Sequence, residues 1–235
     1  MTALTRPLPR AVLWDLDGTL VNSDPLWTAA ERECVTAHGG IWTDAIADAL
    51  AGASLTTCAQ VLRDAGVPLS DSEIIPELVH SVVRKYGDSV PWVPGAVELL
   101  AAFRDAGVPS VLVTGSPRVL AERVLAAAPE GVFIGCVTGD DDVRDKPDPE
   151  PYVRGASLAD AEPGECMAFE DSATGLASAI ASGTPTVAVR AHARNPIPES
   201  ADHITIGSLA DVTILADRLM LTVSAVNAVS STPRR

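Results

Sequence analysis

Apolar and polar positions follow two rhythms along most of the chain. Short apolar runs at Val12–Trp14, Ser110–Val113, Val132–Cys136, Cys166–Phe169, Pro185–Val189 and His203–Ile206 have the length of buried strands. Between them, Ala96–Ala106, Val119–Ala127, Tyr152–Ala159 and Ala173–Ser182 carry the helical period. Regular alternation of this kind predicts an α/β protein, with a Rossmann-like parallel sheet and helices on both faces. One interval breaks the rhythm. Asp15 and Thr114 are 99 positions apart, whereas Thr114 and Lys146 are 32 apart. A single crossover helix needs far less than the first interval. Within it, Leu26–Ala37, Ala45–Ala51, Leu55–Ala65 and Ile74–Tyr86 read as helices. The expectation is an all-helical cap, residues 22–92, inserted in a catalytic core of residues 1–21 and 93–235. Pro91, Pro94 and Gly95 mark the return.

Polar residues gather where the predicted strands end. The first run closes as Asp15-Leu16-Asp17-Gly18-Thr19. In an open α/β sheet the carboxyl ends of the strands are where ligands bind. Strand alternation would turn Asp15 and Asp17 the same way, and two close carboxylates call for a cation or a shared proton. That points to a Mg2+ site, with one acid as nucleophile and the other moving protons. A solvated Asp-rich turn is the plainer alternative. The second run ends in Thr114-Gly115-Ser116, whose hydroxyls and backbone N–H groups suit phosphate oxygens and equally suit an ordinary turn. Lys146 stands in Lys146-Pro147-Asp148-Pro149, close after Asp140, Asp141, Asp142 and Asp145, where a solvated charge cluster is the competing reading. Glu170 and Asp171 close a fourth run, and Ser172 is placed to cap the next helix, so the two acids also read as helix-dipole partners.

Taken in order, these four clusters resemble the motifs of the haloacid dehalogenase superfamily, over about Ala11 to Ile206. The resemblance implies a helical-cap member of the β-phosphoglucomutase-like and sugar-phosphatase-like group. By it, Asp15 is the nucleophile that becomes an aspartyl phosphate, and Asp17 protonates the leaving oxygen and then deprotonates water. Thr114 and Lys146 hold the phosphoryl group. Mg2+ is bound by Asp15, the carbonyl of Asp17 and Asp171, with Glu170 direct or through water. Phosphoryl transfer needs chiefly positioning and charge neutralisation, which this set supplies. A halide leaving group needs no proton, so Asp17 favours phosphate-ester chemistry over dehalogenation. The cap segment holds a single lysine, Lys85, in a polar stretch, which disfavours the Schiff-base chemistry of phosphonate hydrolysis.

Mutases of this group carry a cap histidine where this chain has Trp27, ten positions beyond Asp17. They carry an arginine in a Gly-x-x-Arg turn where it reads Gly52-Ala53-Ser54-Leu55. Both differences favour hydrolysis over phosphoglucomutase-type transfer. Gly115 and Ser116 are candidate substrate contacts. Arg118 either joins them or caps the following helix, and Trp27 either stacks on a substrate ring or packs in the cap. A non-catalytic binding module on the same fold would show decay of the nucleophile, proton shuttle or lysine, and none has decayed.

Composition narrows the partners. A formal charge of −14 without a basic stripe disfavours nucleic acid, so an anionic metabolite must be drawn by local cations. No apolar run approaches the roughly 20 residues of a membrane span, and residues 1–10 contain no signal-like apolar stretch. Cys34, Cys58, Cys136 and Cys166 are scattered without C-x-x-C spacing, which favours reduced, mostly buried thiols over disulfides or a zinc site, and His38, His80, His192 and His203 show no ligand spacing and read as structural or exposed. These features fit a cytoplasmic enzyme acting on a small phosphorylated metabolite. Ser230–Arg235 reads as a frayed tail.

Overall fold

The computed structural model describes residues 2–50, 53–87, 89–193, 195–215 and 220–225. Ala51, Gly52 and the Ser230–Arg235 tail therefore lie outside the described residues. The chain opens with β1 (Thr2–Pro7) and β2 (Val12–Trp14), followed by four consecutive helices. These are α1 (Asp24–Ala37), α2 (Asp44–Leu50), α3 (Leu55–Asp64) and α4 (Asp71–Tyr86). Next come α5 (Ala96–Asp105), β3 (Ser110–Val113), α6 (Arg118–Ala127), β4 (Phe133–Val137) and α7 (Glu150–Leu158). The last elements are β5 (Met167–Glu170), α8 (Ala173–Ala181), β6 (Thr186–Val189), β7 (His203–Ile206), β8 (Val212–Leu215) and β9 (Met220–Ala225).

Six strands form a wholly parallel sheet in the order β4-β3-β2-β5-β6-β7. From β2 the chain builds outward to β4 on one side, then crosses back to lay β5 against the other side of β2. The order reverses at β2, and such a switch point leaves a crevice at the strands' carboxyl ends. Period-2 alternation sorts the side chains. Val12, Trp14, Leu112 and Phe169 enter the larger core, while Leu13, Val111, Val113 and Ala168 pack with Tyr152 and Ala156 of α7 on the opposite face. Trp14 stacks on Phe169 at 4.5 Å between ring centroids, and its indole N–H donates to Ser110 Oγ at 2.9 Å. The buried aromatic thus has its polar atom satisfied.

The four inserted helices pack on one another through one shared apolar face. Ala30, Cys34 and Val35 of α1 join Leu62 of α3 and Ile74, Leu78 and Val82 of α4. The i, i+4, i+8 spacing on α4 is the stripe expected of a half-buried helix. Ser54 caps α3 by accepting from Thr57 N, and Ser70 with Glu73 forms a capping box at the start of α4. α1 begins at Asp24, two residues earlier than the periodicity indicates, with Pro25 in its first turn.

A second sheet, antiparallel in the order β1-β9-β8, has no counterpart in the sequence reading. Thr2 pairs with Ala225 and Pro7 with Met220, so β1 depends on a partner from the far end of the chain. Val212 and Val223 of this sheet enter the larger core.

Candidate active site

Three strand ends converge at the switch point. Asp15 follows β2, with its N–H donating to Phe169 O at 3.1 Å, and Thr114 follows β3, with its N–H donating to Val137 O at 2.9 Å. Glu170 ends β5 and Asp171 follows it. All four are buried, Glu170 completely. Lys146, on the segment leading into α7, spends its three protons at once. Nζ lies 2.8 Å from Asp15 Oδ1, 2.6 Å from Glu170 Oε1 and 3.0 Å from Val113 O. It is therefore no solvated member of the acidic run that precedes it. Lys146 is a counter-ion whose side chain is 11% exposed.

The cluster is short of positive charge. Three carboxylates, Asp15, Glu170 and Asp171, face one ammonium, an excess of two negative charges when all are ionised. Burial, then the Glu170 charge, pushes Asp15 up to about 7, although Lys146 pulls the other way. Burial, then Asp15 and Glu170, pushes Asp171 up to about 10. Burial works to lower Lys146, but Asp15 and Glu170 overcome it and hold the ammonium above its ordinary range. A hard divalent cation matches both the charge deficit and the donors, since the three ligand oxygens lie within 4.8 Å of one another. Two glycines make the cluster possible. A Cβ on Gly18, whose φ is +84°, would stand 2.0 Å from Asp171 Oδ2, and one on Gly175 would stand 2.0 Å from both Glu170 oxygens.

Asp17 lives apart from this cluster. The β2 ladder stops at Trp14, so strand alternation does not extend to Asp17, and its carboxylate takes different partners. Ser23 Oγ donates to Oδ1 at 2.5 Å, Trp27 Nε1 to the same oxygen at 3.2 Å, and Ser116 Oγ to Oδ2 at 2.5 Å. Ser23 stands at the N-cap of α1 yet caps nothing with its side chain, because its hydroxyl is given to Asp17. Thr114 Oγ1 accepts from Ser116 N at 2.9 Å, which closes the Thr114-Gly115-Ser116 turn. Gly115 borders open space where a side chain would stand.

Two site residues escaped the sequence reading. Ser23 carries no pattern beyond that of a helix cap. Tyr152 sits on α7 as an apolar-periodic position, but its hydroxyl donates to Glu170 Oε1 at 2.5 Å. Burial, then Glu170, holds that phenol well above its ordinary range, so it remains a donor. Alternation explains the meeting, because Glu170 shares the sheet face of Ala168, against which α7 packs. Trp27 packs partly on the larger core while its N–H reaches Asp17, so the ring edge belongs to the site. The Arg118 guanidinium is taken up by Asp141 Oδ1 at 2.5 Å and Cys136 Sγ at 3.4 Å.

A buried carboxylate at the switch point of a parallel sheet, with a lysine counter-ion and a second acid nearby, is an arrangement that suits an α/β hydrolase or transferase. Comparison with known proteins gives the family. A profile of haloacid dehalogenase-like hydrolases matches residues 9–183, and the chain belongs to that family. Hexitol phosphatase A of Escherichia coli K12 is 30% identical over 209 residues, covering 87% of this chain and 94% of the relative. Validoxylamine A 7'-phosphate phosphatase of Streptomyces hygroscopicus subsp. limoneus is 31% identical over 177 residues, covering 74% and 82%. Among solved structures, CbbY from Rhodobacter sphaeroides in complex with phosphate superposes with a TM-score of 0.74 at 24% identity, covering 87% of this chain and 96% of that one. The β-phosphoglucomutase of Clostridium difficile superposes at 0.66 and 18% identity, covering 77% and 85%. At these identities the structures establish the fold. Among the described residues no helix is long and apolar enough to cross a membrane.

Proposed function

We propose that the chain is a Mg2+-dependent phosphatase that cleaves a small sugar or polyol phosphate through an aspartyl phosphate on Asp15. The observation that carries this reading is the separation of two acids one residue apart. Asp15 lies against Lys146 in a cluster short of positive charge, while Asp17 is held by three neutral donors. Named relatives that are phosphatases support the reaction class, and the hexitol phosphatase supports the substrate class.

In the first step a carboxylate oxygen of Asp15 bonds to phosphorus as the ester P–O bond breaks. Asp17 gives its proton to the departing alkoxide. In the second step Asp17 takes a proton from water, the water oxygen bonds to phosphorus, and Asp15 is released with inorganic phosphate. Lys146 neutralises Asp15 and the transferred oxygens. Thr114 already accepts from Ser116 N, so its hydroxyl hydrogen is left for a phosphoryl oxygen. The Gly115 and Ser116 N–H groups line the same turn. Asp15, Asp171 and the Asp17 carbonyl would hold Mg2+, with Glu170 direct or through water, and the ion would supply charge neutralisation. Residues 22–92 act as a cap over the core of residues 1–21 and 93–235, excluding water. Trp27, whose N–H reaches Asp17, would border the substrate's remote part, while Arg118 is held by Asp141.

The test is phosphate release from a panel of hexitol, sugar and nucleoside phosphates, before and after chelation. Release that stops in chelator and returns with Mg2+ supports the reading. No release from any ester, or full release in excess chelator, contradicts it. For the mutase alternative, β-glucose 1-phosphate with catalytic 1,6-bisphosphate separates the outcomes. Leu55 offers a distal phosphate no charged donor, so glucose 6-phosphate should not accumulate.

A further inference from the structure

The helical insertion contains a second group of metal-ligating side chains that the phosphatase reading does not use. Cys34 and His38 are one turn apart at the end of α1, and Glu77 reaches them from α4. Their sulfur, nitrogen and oxygen ligand atoms lie within 4.8 Å of one another, and His38 Nε2 is 3.3 Å from Glu77 Oε2. A tetrahedral zinc ion with bonds of about 2.0–2.1 Å to nitrogen and oxygen has ligand–ligand edges of about 3.3–3.4 Å. His38 and Glu77 stand at that separation in a direct hydrogen bond, which an ion between them would replace. We propose that Cys34, His38 and Glu77 bind Zn2+ or a similar borderline-soft divalent ion, with water as the fourth ligand.

Three further observations support this. The set of thiol, imidazole and carboxylate is one that zinc accepts and Mg2+ does not seek. Cys34 is buried while His38 and Glu77 are partly exposed, so an ion has both a dry anchor and a route in. An open cavity of about 480 Å³ lies beside Cys34 and Glu77, lined also by Glu33, Ser81 and Arg84. Glu33 is occupied elsewhere, by Ser81 at 2.8 Å and Lys85 at 2.6 Å, whereas Glu77 bonds to the other two proposed ligands, His38 and Cys34, and the ion would replace those bonds. Binding breaks the Cys34 S–H bond, forms a sulfur–metal bond and releases the proton to buffer.

The ion clamps α1 to α4. Trp27, which donates to Asp17, lies eleven residues before His38, about 16 Å along the helix at 1.5 Å per residue. Occupancy therefore fixes the helix that carries an Asp17 donor without touching the catalytic cluster.

The experiment uses the full chain, reduced, chelated and desalted, then titrated with Co2+ and followed by absorption. A thiolate-to-cobalt charge-transfer band should grow to one equivalent and be bleached by Zn2+. Cys34→Ser should remove the band. His38→Ala and Glu77→Gln, which keep the thiol, should weaken binding by at least about 10–100-fold, the range lost when even an outer partner is removed. Asp171→Asn, in the catalytic cluster, should leave the band intact. Zn2+ should raise the melting temperature of the wild type more than that of His38→Ala. No band in folded wild type, or a band of unchanged strength in His38→Ala and Glu77→Gln, would overturn the proposal.

Discussion

At the end of β2 the chain sets two carboxylates one residue apart and gives them opposite surroundings. Asp15 is buried among Glu170, Asp171 and Lys146, where burial first and the neighbouring carboxylates second push the pKa values of Asp15 and Asp171 upward. Asp17 is met by Ser23, Trp27 and Ser116, three neutral donors from α1, its cap and the turn after β3. The first environment comes from the sheet, whose adjacent strand ends force like charges together. The second comes from a turn and a helix start, which supply hydroxyl and indole groups. The difference underlies the proposed division of roles, in which the unbalanced cluster would bind a cation and attack while the hydrogen-bonded acid would move protons.

The largest effect should follow from breaking the first environment at its centre. Asp15→Asn removes the nucleophile with little change of volume, so multiple-turnover phosphate release should fall to background while circular dichroism is preserved. Asp17→Asn should slow hydrolysis of alkyl phosphates by about 10²–10⁴-fold, the usual worth of a positioned acid–base group. Single-turnover phosphorylation by an aryl phosphate should suffer much less, because that leaving group scarcely needs a proton. Equal losses for both leaving groups would remove the distinction between the two acids.

A pH series sharpens the electrostatic half. Asp15 and Asp171 have folded pKa values raised above those of an unfolded carboxylate, so the folded chain holds more protons between these limits. Their contribution is fully present below the ordinary carboxylate range. It is lost as pH rises through about 7 for Asp15 and about 10 for Asp171. In chelator, stability should accordingly decline across this window. Mg2+ should recover it, by about 2.7 kcal/mol at a hundred times its dissociation constant, and more strongly at the alkaline end. The smallest effect belongs to Tyr152→Phe. Losing a donor to a charged, buried Glu170 should cost about 1.5–3 kcal/mol in denaturant titration, less whatever Lys146 and Ser172 take over. An unchanged midpoint would show that Tyr152 does not help hold the cluster.

The parallel sheet and its helices were legible because each strand is a short apolar run with a polar end, and each helix has its own apolar face. The same local signal set Asp15, Thr114, Glu170 and Asp171 at strand ends, where the structure has them, whereas Lys146 lies on a loop and stood out only through the resemblance. The antiparallel sheet was not legible. β1, with Thr5, Arg6 and Pro7, becomes a strand only by pairing with β9 some two hundred residues later. Tyr152 and Ser23 were missed for a related reason, since each looks ordinary within its helix and gains a role only from a carboxylate brought by another element. The Cys34–His38 spacing was present in the sequence, but its third partner, Glu77, comes from α4, and tertiary packing alone unites them.

The central claim is that Asp15 carries the phosphoryl group, and trapping tests it most directly. Asp17→Asn protein is mixed with Mg2+ and an aryl phosphate, quenched in acid, and digested for mass spectrometry. The account predicts one phosphoryl group per chain, on the peptide containing Asp15, accumulating because water lacks its base. Stoichiometric phosphate release with no phosphorylated Asp15 peptide at any time point would contradict it.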